Sequence, residues 1–383
     1  MRIIPVASGK GGVGKSLLSA NLAIALGEAG KSVLLADLDL GASNLHLVLG
    51  VPSPKAGIGT FLTGATPFED CVMETSWKGV SFVAGDSEIP GLTALRAPQK
   101  SSLTKNILKS SFDFVILDLG AGTHTGILDF FMMSHRGIVV TAPTVTATLN
   151  AYLFLKNAVF RLMYTTFKKG TPARDWLDGL KGNSAALRRM YIPKIIEEIA
   201  RIDPESARAF RERSEAFRPR LVMNMIDDPK DADKALKIRR SCREYLNIDL
   251  EHLGVIYRDA AQDIALASRL PVIVYKPQSV LSQAVYRIAD KILQDEGQWD
   301  DAEDADEIAA LSEESFQTAE LEANVDFDAR MNYVEELVGS GALSMGDLAE
   351  TIKSQQYELT ALKKENALLK SKIAHALMQG FKL

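Results

Sequence analysis

The sequence predicts an α/β fold built around a doubly wound, mostly parallel β-sheet over residues 1–294. Short apolar runs alternate there with segments of helical period, and this alternation is typical of βαβ units. Several runs are nearly continuous in Val, Ile and Leu, as expected for parallel strands that are buried on both faces. Hydrophobic residues make up 46% of the 383-residue chain, which is enough for a large core and excludes a disordered or low-complexity protein.

Eight strands are expected in this region, with helical segments between most of them. In chain order they are Ile3–Ala7, Val33–Asp37, Val80–Ala84, Phe114–Asp118, Ile138–Thr141, Leu221–Asn224, Gly254–Tyr257 and Val272–Val274. The alternation stops between about residues 155 and 220, where Met, Leu and Ile recur at helix-like spacing. We therefore predict a helical insertion between two core strands.

The insertion is cationic, in contrast to the chain as a whole. Its basic residues include Lys168, Lys169, Arg188, Arg189, Arg211, Arg213, Arg218 and Arg220. A solvated helical surface is the simpler interpretation. The alternative is a contact face for a protein partner, an anionic membrane or DNA.

Residues 295–328 are strongly acidic. They hold 14 Asp and Glu residues and no Lys or Arg. Because like charges repel and favour an extended, mobile chain, we predict a solvated linker here rather than a decoy for a basic partner.

Residues 329–383 are expected to be helical, with a coiled coil over 348–376. Two series recur every seven residues, three residues apart: Ile352, Leu359, Asn366 and Ile373 at a positions, and Gln355, Leu362, Leu369 and Ala376 at d positions. Glu358 at g precedes Lys363 at the next e, a pairing of opposite charges that is repeated one heptad later and favours a parallel dimer. One amphipathic helix packed on its own domain is the alternative.

The end of the chain offers a second interpretation. Apolar residues recur every four positions beside lysines: Leu369, Ile373, Leu377 and Phe381. Such a pattern suits an interfacial helix on anionic lipid. Since one apolar stripe cannot serve both purposes fully, peripheral contact with a membrane is the minor alternative.

The overall composition narrows the class of protein. The formal net charge of −5 means that the average surface does not attract nucleic acid. Cys71 and Cys242 form no CxxC motif, which argues against a cysteine-ligated metal site and a disulfide framework. No apolar stretch is long enough to span a membrane, and the first residues do not resemble a signal peptide. A reduced cytoplasmic protein is expected.

The strongest chemical motif is the segment Gly9–Ser16, which matches GxxxxGK[ST] and stands between an apolar strand and an amphipathic helix. Its residues include Gly11, Gly12, Val13, Gly14, Lys15 and Ser16. Glycines allow the backbone N–H groups to surround phosphate oxygens, and the helix presents its positive end to the same anions. Lys15 is expected to reach the β- and γ-phosphates, and Ser16 to ligate Mg²⁺.

The stretch KGGVGKS resembles the deviant Walker A motif of the MinD/ParA family of P-loop ATPases. The resemblance implies a SIMIBI-type P-loop fold, ATP and Mg²⁺ as ligands, and an ATP-dependent homodimer. Lys10 is the extra lysine of this motif, and in the family such a lysine reaches the partner's nucleotide.

Two further segments strengthen the resemblance. Leu34–Gly41 looks like the family's switch I, which implies that Asp39 positions the attacking water and that Asp37 lies near the metal. Phe114–Gly122 resembles a Walker B strand that leads into switch II, which implies that Asp118 holds Mg²⁺. A helix cap or a surface carboxylate would explain any one of these aspartates, but not all of them together with the P-loop.

The adenine-binding side is less strongly marked. Asn224 resembles the family residue that hydrogen-bonds adenine, while simple turn chemistry is an equal alternative. Arg258 and Asp259 lie in a segment that resembles the one closing the other side of the base.

The switch sequences are most similar to the MinD and FlhG branch of the family. We therefore expect a slow, partner-stimulated ATPase that acts as a nucleotide switch and positions a cellular machine such as a flagellum or a division site. The expected partners are a second copy of the chain and a coiled-coil or ATPase-activating protein. One alternative is a nucleotide-bound coiled-coil scaffold. Another is a ParA-type partitioning ATPase that binds DNA through the insertion or through Arg239, Arg240 and Arg243.

Overall fold

The computed structural model describes residues 1–41, 43–85, 95–181, 191–294 and 305–340, together with isolated residues between 346 and 369. Several predictions concern residues outside these ranges. They include Arg188 and Arg189 of the insertion, the first part of the acidic segment, most of the coiled coil 348–376 and the lipid-binding alternative for the chain end.

An eight-stranded sheet forms the centre of the fold. The strands lie in the order β3-β4-β2-β5-β1-β6-β7-β8, and all neighbours are parallel except β3 and β4. Their bounds are β1 Arg2–Ser8, β2 Val33–Leu38, β3 Met73–Glu74, β4 Val80–Val83, β5 Phe114–Ala121, β6 Ile138–Thr141, β7 Arg220–Ile226 and β8 Glu251–Tyr257.

Helices connect most of the strands. Those up to β7 are α1 Lys15–Glu28, α2 Leu45–Leu49, α3 Ile58–Leu62, α4 Ala97–Lys109, α5 Thr125–Phe131, α6 Val145–Thr166, α7 Pro172–Lys181, α8 Ile192–Ile202 and α9 Pro204–Glu215. Those after β7 are α10 Asp233–Ser241, α11 Ala261–Ala267, α12 Val272–Tyr275, α13 Val280–Gln294 and α14 Ala305–Gly339. Helices α6 to α9 lie between β6 and β7, where the sequence predicts the insertion. Among the described residues, no helix combines the length and apolar character needed to cross a membrane.

Seven of the predicted strands are present, and the eighth is wrong. Val272–Val274 belongs to α12, a short helix that follows Pro271. Val272 and Ile273 are buried as a strand would be, but the Ile273 N–H donates to the Asn21 side chain at 3.0 Å instead of to a neighbouring strand. Strand β3 is not predicted from the sequence, because its two residues are too few to show a period.

The extended linker predicted over 295–328 is wrong for residues 305–328, because these residues lie in α14. One side of the helix is buried, with Phe316 3% exposed and Ala319 and Ala323 fully buried. Basic side chains face its acidic ones: Lys291 Nζ lies 2.8 Å from Glu322, and Arg287 pairs with Asp326. This neutralisation reduces the repulsion on which the prediction of an extended chain depended.

Helix α14 covers β8, the edge strand of the sheet. The Ser312 hydroxyl donates to the Leu250 carbonyl at 2.7 Å, and the Tyr257 hydroxyl donates to the Ala323 carbonyl at 2.7 Å. An uncovered edge strand invites pairing with other chains. The chain divides into two compact units, Met1–Asp326 and Phe327–Leu383, so the first unit extends beyond the predicted boundary at residue 294.

Candidate functional site

The order of the strands brings two acidic side chains together. Strands β2 and β5 are parallel neighbours, and their register places Asp37 beside Asp118. Strand β1 pairs with the other side of β5, with Val6 beside Asp118. Because parallel strands end at the same edge of a sheet, both carboxylates lie where β1 leads into the glycine-rich loop.

The loop between β1 and α1 depends on three of its glycines. Gly12 and Gly14 have φ angles of +78° and +84°, a left-handed conformation that glycine adopts at little cost. At Gly9, an added Cβ would lie 2.0 Å from the backbone oxygen of Asn150 in α6. The loop is thereby held tightly against α6, and α1 begins at Lys15 with its N-terminal N–H groups at the end of the loop.

Asp118 accepts hydrogen bonds from three side chains in the first turns of α1. Lys15 Nζ donates to its Oδ1 at 2.8 Å, the Ser16 hydroxyl donates to its Oδ2 at 2.7 Å, and the Ser19 hydroxyl donates to its Oδ1 at 2.8 Å. Lys15 is 7% exposed and Asp118 is 1% exposed, so this is a buried, hydrogen-bonded ion pair. Ser19 is not among the predicted site residues, although its place one turn after Lys15 puts it on the same face of the helix.

Asp37 has no basic partner among the contacts of the described residues. Its carboxylate accepts hydrogen bonds from the Ser43 hydroxyl at 2.7 Å and from the backbone N–H of Asp39 at 3.0 Å. Burial, reinforced by the negative charge of Asp118, raises the pKa of Asp37 to about 7 despite these bonds. A nearby cation would favour its ionised form.

Asp39 lies at a cavity between the two predicted switch segments. The cavity has a volume of about 570 Å³ and is lined by residues of both segments, among them Asp39, Gly41, Gly120 and His124. The side chain of Asp39 approaches Gly120 so closely that an added Cβ there would lie 3.2 Å from its Oδ1. The structure therefore brings the predicted water-positioning aspartate next to the switch II segment.

Lys10 lies apart from the Asp118 cluster, on the exposed side of the loop. Its Nζ donates to the Thr146 hydroxyl at the start of α6, at 3.1 Å. The two lysines of the motif thus have different surroundings, one buried at a carboxylate and one at the surface.

Asn224 at the end of β7 holds the loop from the other side. Its Nδ2 donates to the Val13 carbonyl at 2.8 Å, its Oδ1 accepts from the Met225 N–H, and an added Cβ at Gly14 would lie 2.0 Å from the same Nδ2. Asn224 is 3% exposed, so in this structure its amide supports the loop.

The other two residues predicted near the base lie after β8. Arg258 is exposed and its Nε lies 3.5 Å from Asp227. Asp259 accepts a hydrogen bond from the Ala261 N–H at the start of α11. Among the described contacts, neither side chain touches a residue of the Asp118 cluster.

These residues fit a magnesium nucleotide. Gly12 has open space on the side where a Cβ would point, and Lys15 and Ser16 supply an ammonium and a hydroxyl at the start of α1. Within the described parts of the chain, no three His, Cys, Asp or Glu side chains converge as a metal site. Mg²⁺ is commonly held by one or two carboxylates together with the phosphates of its substrate, a role that suits Ser16 and Asp118.

The first part of the chain matches known proteins. Residues 1–157 match the ParA family model, which is described as "NUBPL iron-transfer P-loop NTPase". The septum site-determining protein MinD of Synechocystis is 33% identical over 161 residues, which are 39% of this chain and 56% of that protein. The flagellum site-determining protein YlxH of Helicobacter pylori is 34% identical over 161 residues, which are 40% of this chain and 53% of that protein. The chain thus spans about half the length of these curated relatives.

A solved structure extends the likeness to the rest of the sheet. MinD of Pyrococcus horikoshii, complexed with Mg-ADP, superposes with a TM-score of 0.50 at 22% identity and covers 78% of this chain and 98% of its own. At this identity the likeness concerns the fold alone. It confirms the predicted α/β fold class.

Proposed function

We propose that this chain, whose residues 1–157 carry a ParA-family P-loop NTPase domain, is a Mg-ATP-dependent dimerising ATPase that works as a nucleotide switch in the spatial positioning of a cellular machine. The observation that carries the proposal is the buried cluster of Lys15, Ser16 and Asp118 beneath the glycine-rich loop. The names of the relatives, a septum and a flagellum site-determining protein, support the positioning role.

Each residue of the site has a proposed task. Lys15 exchanges its contact with Asp118 for the β- and γ-phosphates, and Ser16 and Asp118 hold the metal, which when bound neutralises charge on the phosphates. Asp39 orients the attacking water, and Asp37 lies near the metal in its ionised form. Gly11 to Gly14 supply backbone N–H groups, while Asn224, Arg258 and Asp259 are assigned to the base.

Lys10 is proposed to act on the nucleotide of a second copy. Its exposed position and its distance from the Asp118 cluster support this task, because a surface cation is free to reach another molecule. Slow hydrolysis then separates the two nucleotide-binding domains.

The DNA-partitioning alternative loses one of its candidate residues. Arg239 is 9% exposed, and its guanidinium donates to the Ser312 hydroxyl at 2.9 Å and pairs with Glu313 in α14. It is thus a structural side chain rather than a phosphate contact. The proposal also includes a protein partner that stimulates hydrolysis, a peripheral membrane contact and a location in the cytoplasm.

The proposal is tested by ATP binding and turnover in full-length variants. Lys15→Ala is expected to abolish binding. Asp39→Ala is expected to bind ATP without turnover, and Lys10→Ala to bind ATP with strongly reduced turnover. Lys105→Ala, which removes an exposed lysine on α4, is the matched control and should behave like the native chain.

A mixture of variants tests the action across copies. A chain with Lys10→Ala keeps its own Asp39, and a chain with Asp39→Ala supplies Lys10, so a mixture that contains mixed dimers, made by co-expressing the two inactive variants, should restore part of the turnover. Turnover that stays absent in the mixture contradicts action across copies. Native protein that binds no adenine nucleotide contradicts the whole proposal, and nucleotide binding without any turnover favours the scaffold alternative.

A further inference from the structure

The last turns of α14 carry an apolar face in a heptad pattern. Phe327, Met331, Val334 and Val338 follow one another at intervals of four, three and four residues. Counting back by sevens from the a position Ile352 leads to Val338 and Met331, and counting back from the d position Gln355 leads to Val334 and Phe327. The face therefore belongs to the same heptad series as the sequence pattern over 348–376.

This face is open to solvent within the chain. Met331, Val334 and Val338 are 45%, 40% and 39% exposed. Two later positions of the series that the structure describes, Ile352 and Leu369, are 56% and 48% exposed. Among the described residues, these positions of the series are therefore left uncovered.

The charges that flank the face are self-complementary. Arg330 falls at a g position and Glu335 at the next e position. Between two parallel, in-register copies, g of one helix meets the following e of the other, so each Arg330 faces a Glu335. In an antiparallel pair g meets g and e meets e, which would bring like charges together.

We infer that Phe327–Val338 begins a parallel, in-register coiled coil between two copies of this chain, which continues over 348–376. The interface thus starts directly after Asp326, about three heptads earlier than the sequence pattern over 348–376 indicates by itself. Helix α14 ends at Gly339, and in the sequence the heptad series has the same phase before Gly339 and after Gly341, which supports one partner for both segments.

The inferred dimer does not depend on nucleotide. It holds two P-loop domains near each other at all times, so an association driven by ATP becomes a step within one assembly. A tether of this kind raises the effective concentration of the second domain to the order of mM. This consequence rests on the proposed function, whereas the coiled coil itself does not.

The test is the mass of the full chain in solution without nucleotide, measured by sedimentation over a range of concentrations. The native chain is expected to be a dimer. Val334→Glu should raise the dissociation constant at least ~10-fold, because it places an uncompensated charge at a d position of the seam. Val325→Glu makes the same change at a b position of the same helix, where Val325 is 65% exposed, and should leave the dimer intact.

Cross-linking tests the orientation and the partner. Val334→Cys should give a covalent dimer when diamide oxidises the two thiols, and Val325→Cys should not, since a and d positions of parallel, in-register helices meet their own copies and b positions do not. A native chain that is monomeric without nucleotide, or a dimer that is equally sensitive to both glutamate variants, overturns the inference. If Val334→Glu still associates when ATP is added, the proposed function stands even where the coiled coil fails. If neither chain associates with ATP, the proposed function fails independently of the coiled coil.

Discussion

Asp37 and Asp118 lie side by side on β2 and β5, yet they differ in how their charge is compensated. Asp118 faces the ammonium group of Lys15 at 2.8 Å. Asp37 receives hydrogen bonds from a hydroxyl and from backbone N–H groups. The two carboxylates therefore differ in state: Asp118 is ion-paired with the lysine of the loop, whereas burial raises the pKa of Asp37 to about 7.

The raised pKa of Asp37 predicts a specific pH dependence of stability. Its pKa of about 7 lies above the unfolded value of 3.8, so between these values the folded state binds more protons than the unfolded state. Stability contributed by this group is therefore complete at low pH and is lost as the pH rises through 7. The free energy of unfolding of the native chain relative to Asp37→Asn should fall by roughly 1–4 kcal/mol between pH 4.5 and 8.

Urea unfolding without nucleotide at several pH values measures this difference. Asp113→Asn is the control, because hydrogen bonds from Ser32 lower the pKa of Asp113 below its unfolded value of 3.8; the stability of that group is lost only below this value, so its gap to the native chain should stay constant between pH 4.5 and 8. A pH-independent gap between the native chain and Asp37→Asn would show that Asp37 stays ionised in the folded protein.

At the scale of single elements, α14 shows how tertiary contacts overrule a local tendency. The acidic composition predicts extension, but apolar and small residues recur on one side of the helix: Ile308, Ser312, Phe316, Ala319 and Ala323. This periodicity was the available signal for a helix. The basic partners that make the helix favourable lie far away in sequence, on α10 and α13.

Phe316 tests whether α14 contributes to the stability of the first unit. Its ring lies 4.8 Å from the His252 ring and 5.4 Å from the Arg239 guanidinium, measured from its centroid. Phe316→Ala should lower the free energy of unfolding by about 3–5 kcal/mol, because it removes a buried aromatic ring.

Leu321→Ala is the matched control on the same helix. Leu321 is 68% exposed, so its truncation should change the free energy of unfolding by less than about 0.5 kcal/mol. Equal and small effects of both substitutions would contradict the packing of α14 on β8.

At the scale of the whole molecule, the boundary of the first unit decides which fragment folds. A truncation after Gln294 leaves β8 as an open edge and removes Glu313 and Glu322, the acidic partners of Arg239 and Lys291, while a truncation after Asp326 keeps them. We expect the 1–326 fragment to unfold at nearly the same temperature as the full chain. The 1–294 fragment should unfold earlier and aggregate.

Thermal unfolding and light scattering of both fragments check this expectation. If 1–294 is as stable and as soluble as 1–326, the first unit folds without α14 and ends at the boundary predicted from composition, residue 294. The full chain, measured in parallel, reports any additional contribution of residues 327–383.

The sequence by itself determined the P-loop, the strands that flank it and the α/β class, because these depend on local periodicity and on a contiguous motif. It also pointed to Asp37, Asp39 and Asp118, each of which ends or follows a buried apolar run. Only the tertiary structure decided that Ser19 joins Asp118, that Asn224 supports the loop, and that Val272–Tyr275 and the acidic segment are helical. These outcomes depend on contacts between residues far apart in the chain. Local patterns such as the apolar period of α14 were not sufficient, because they do not show which distant charges and apolar side chains will pack against a segment.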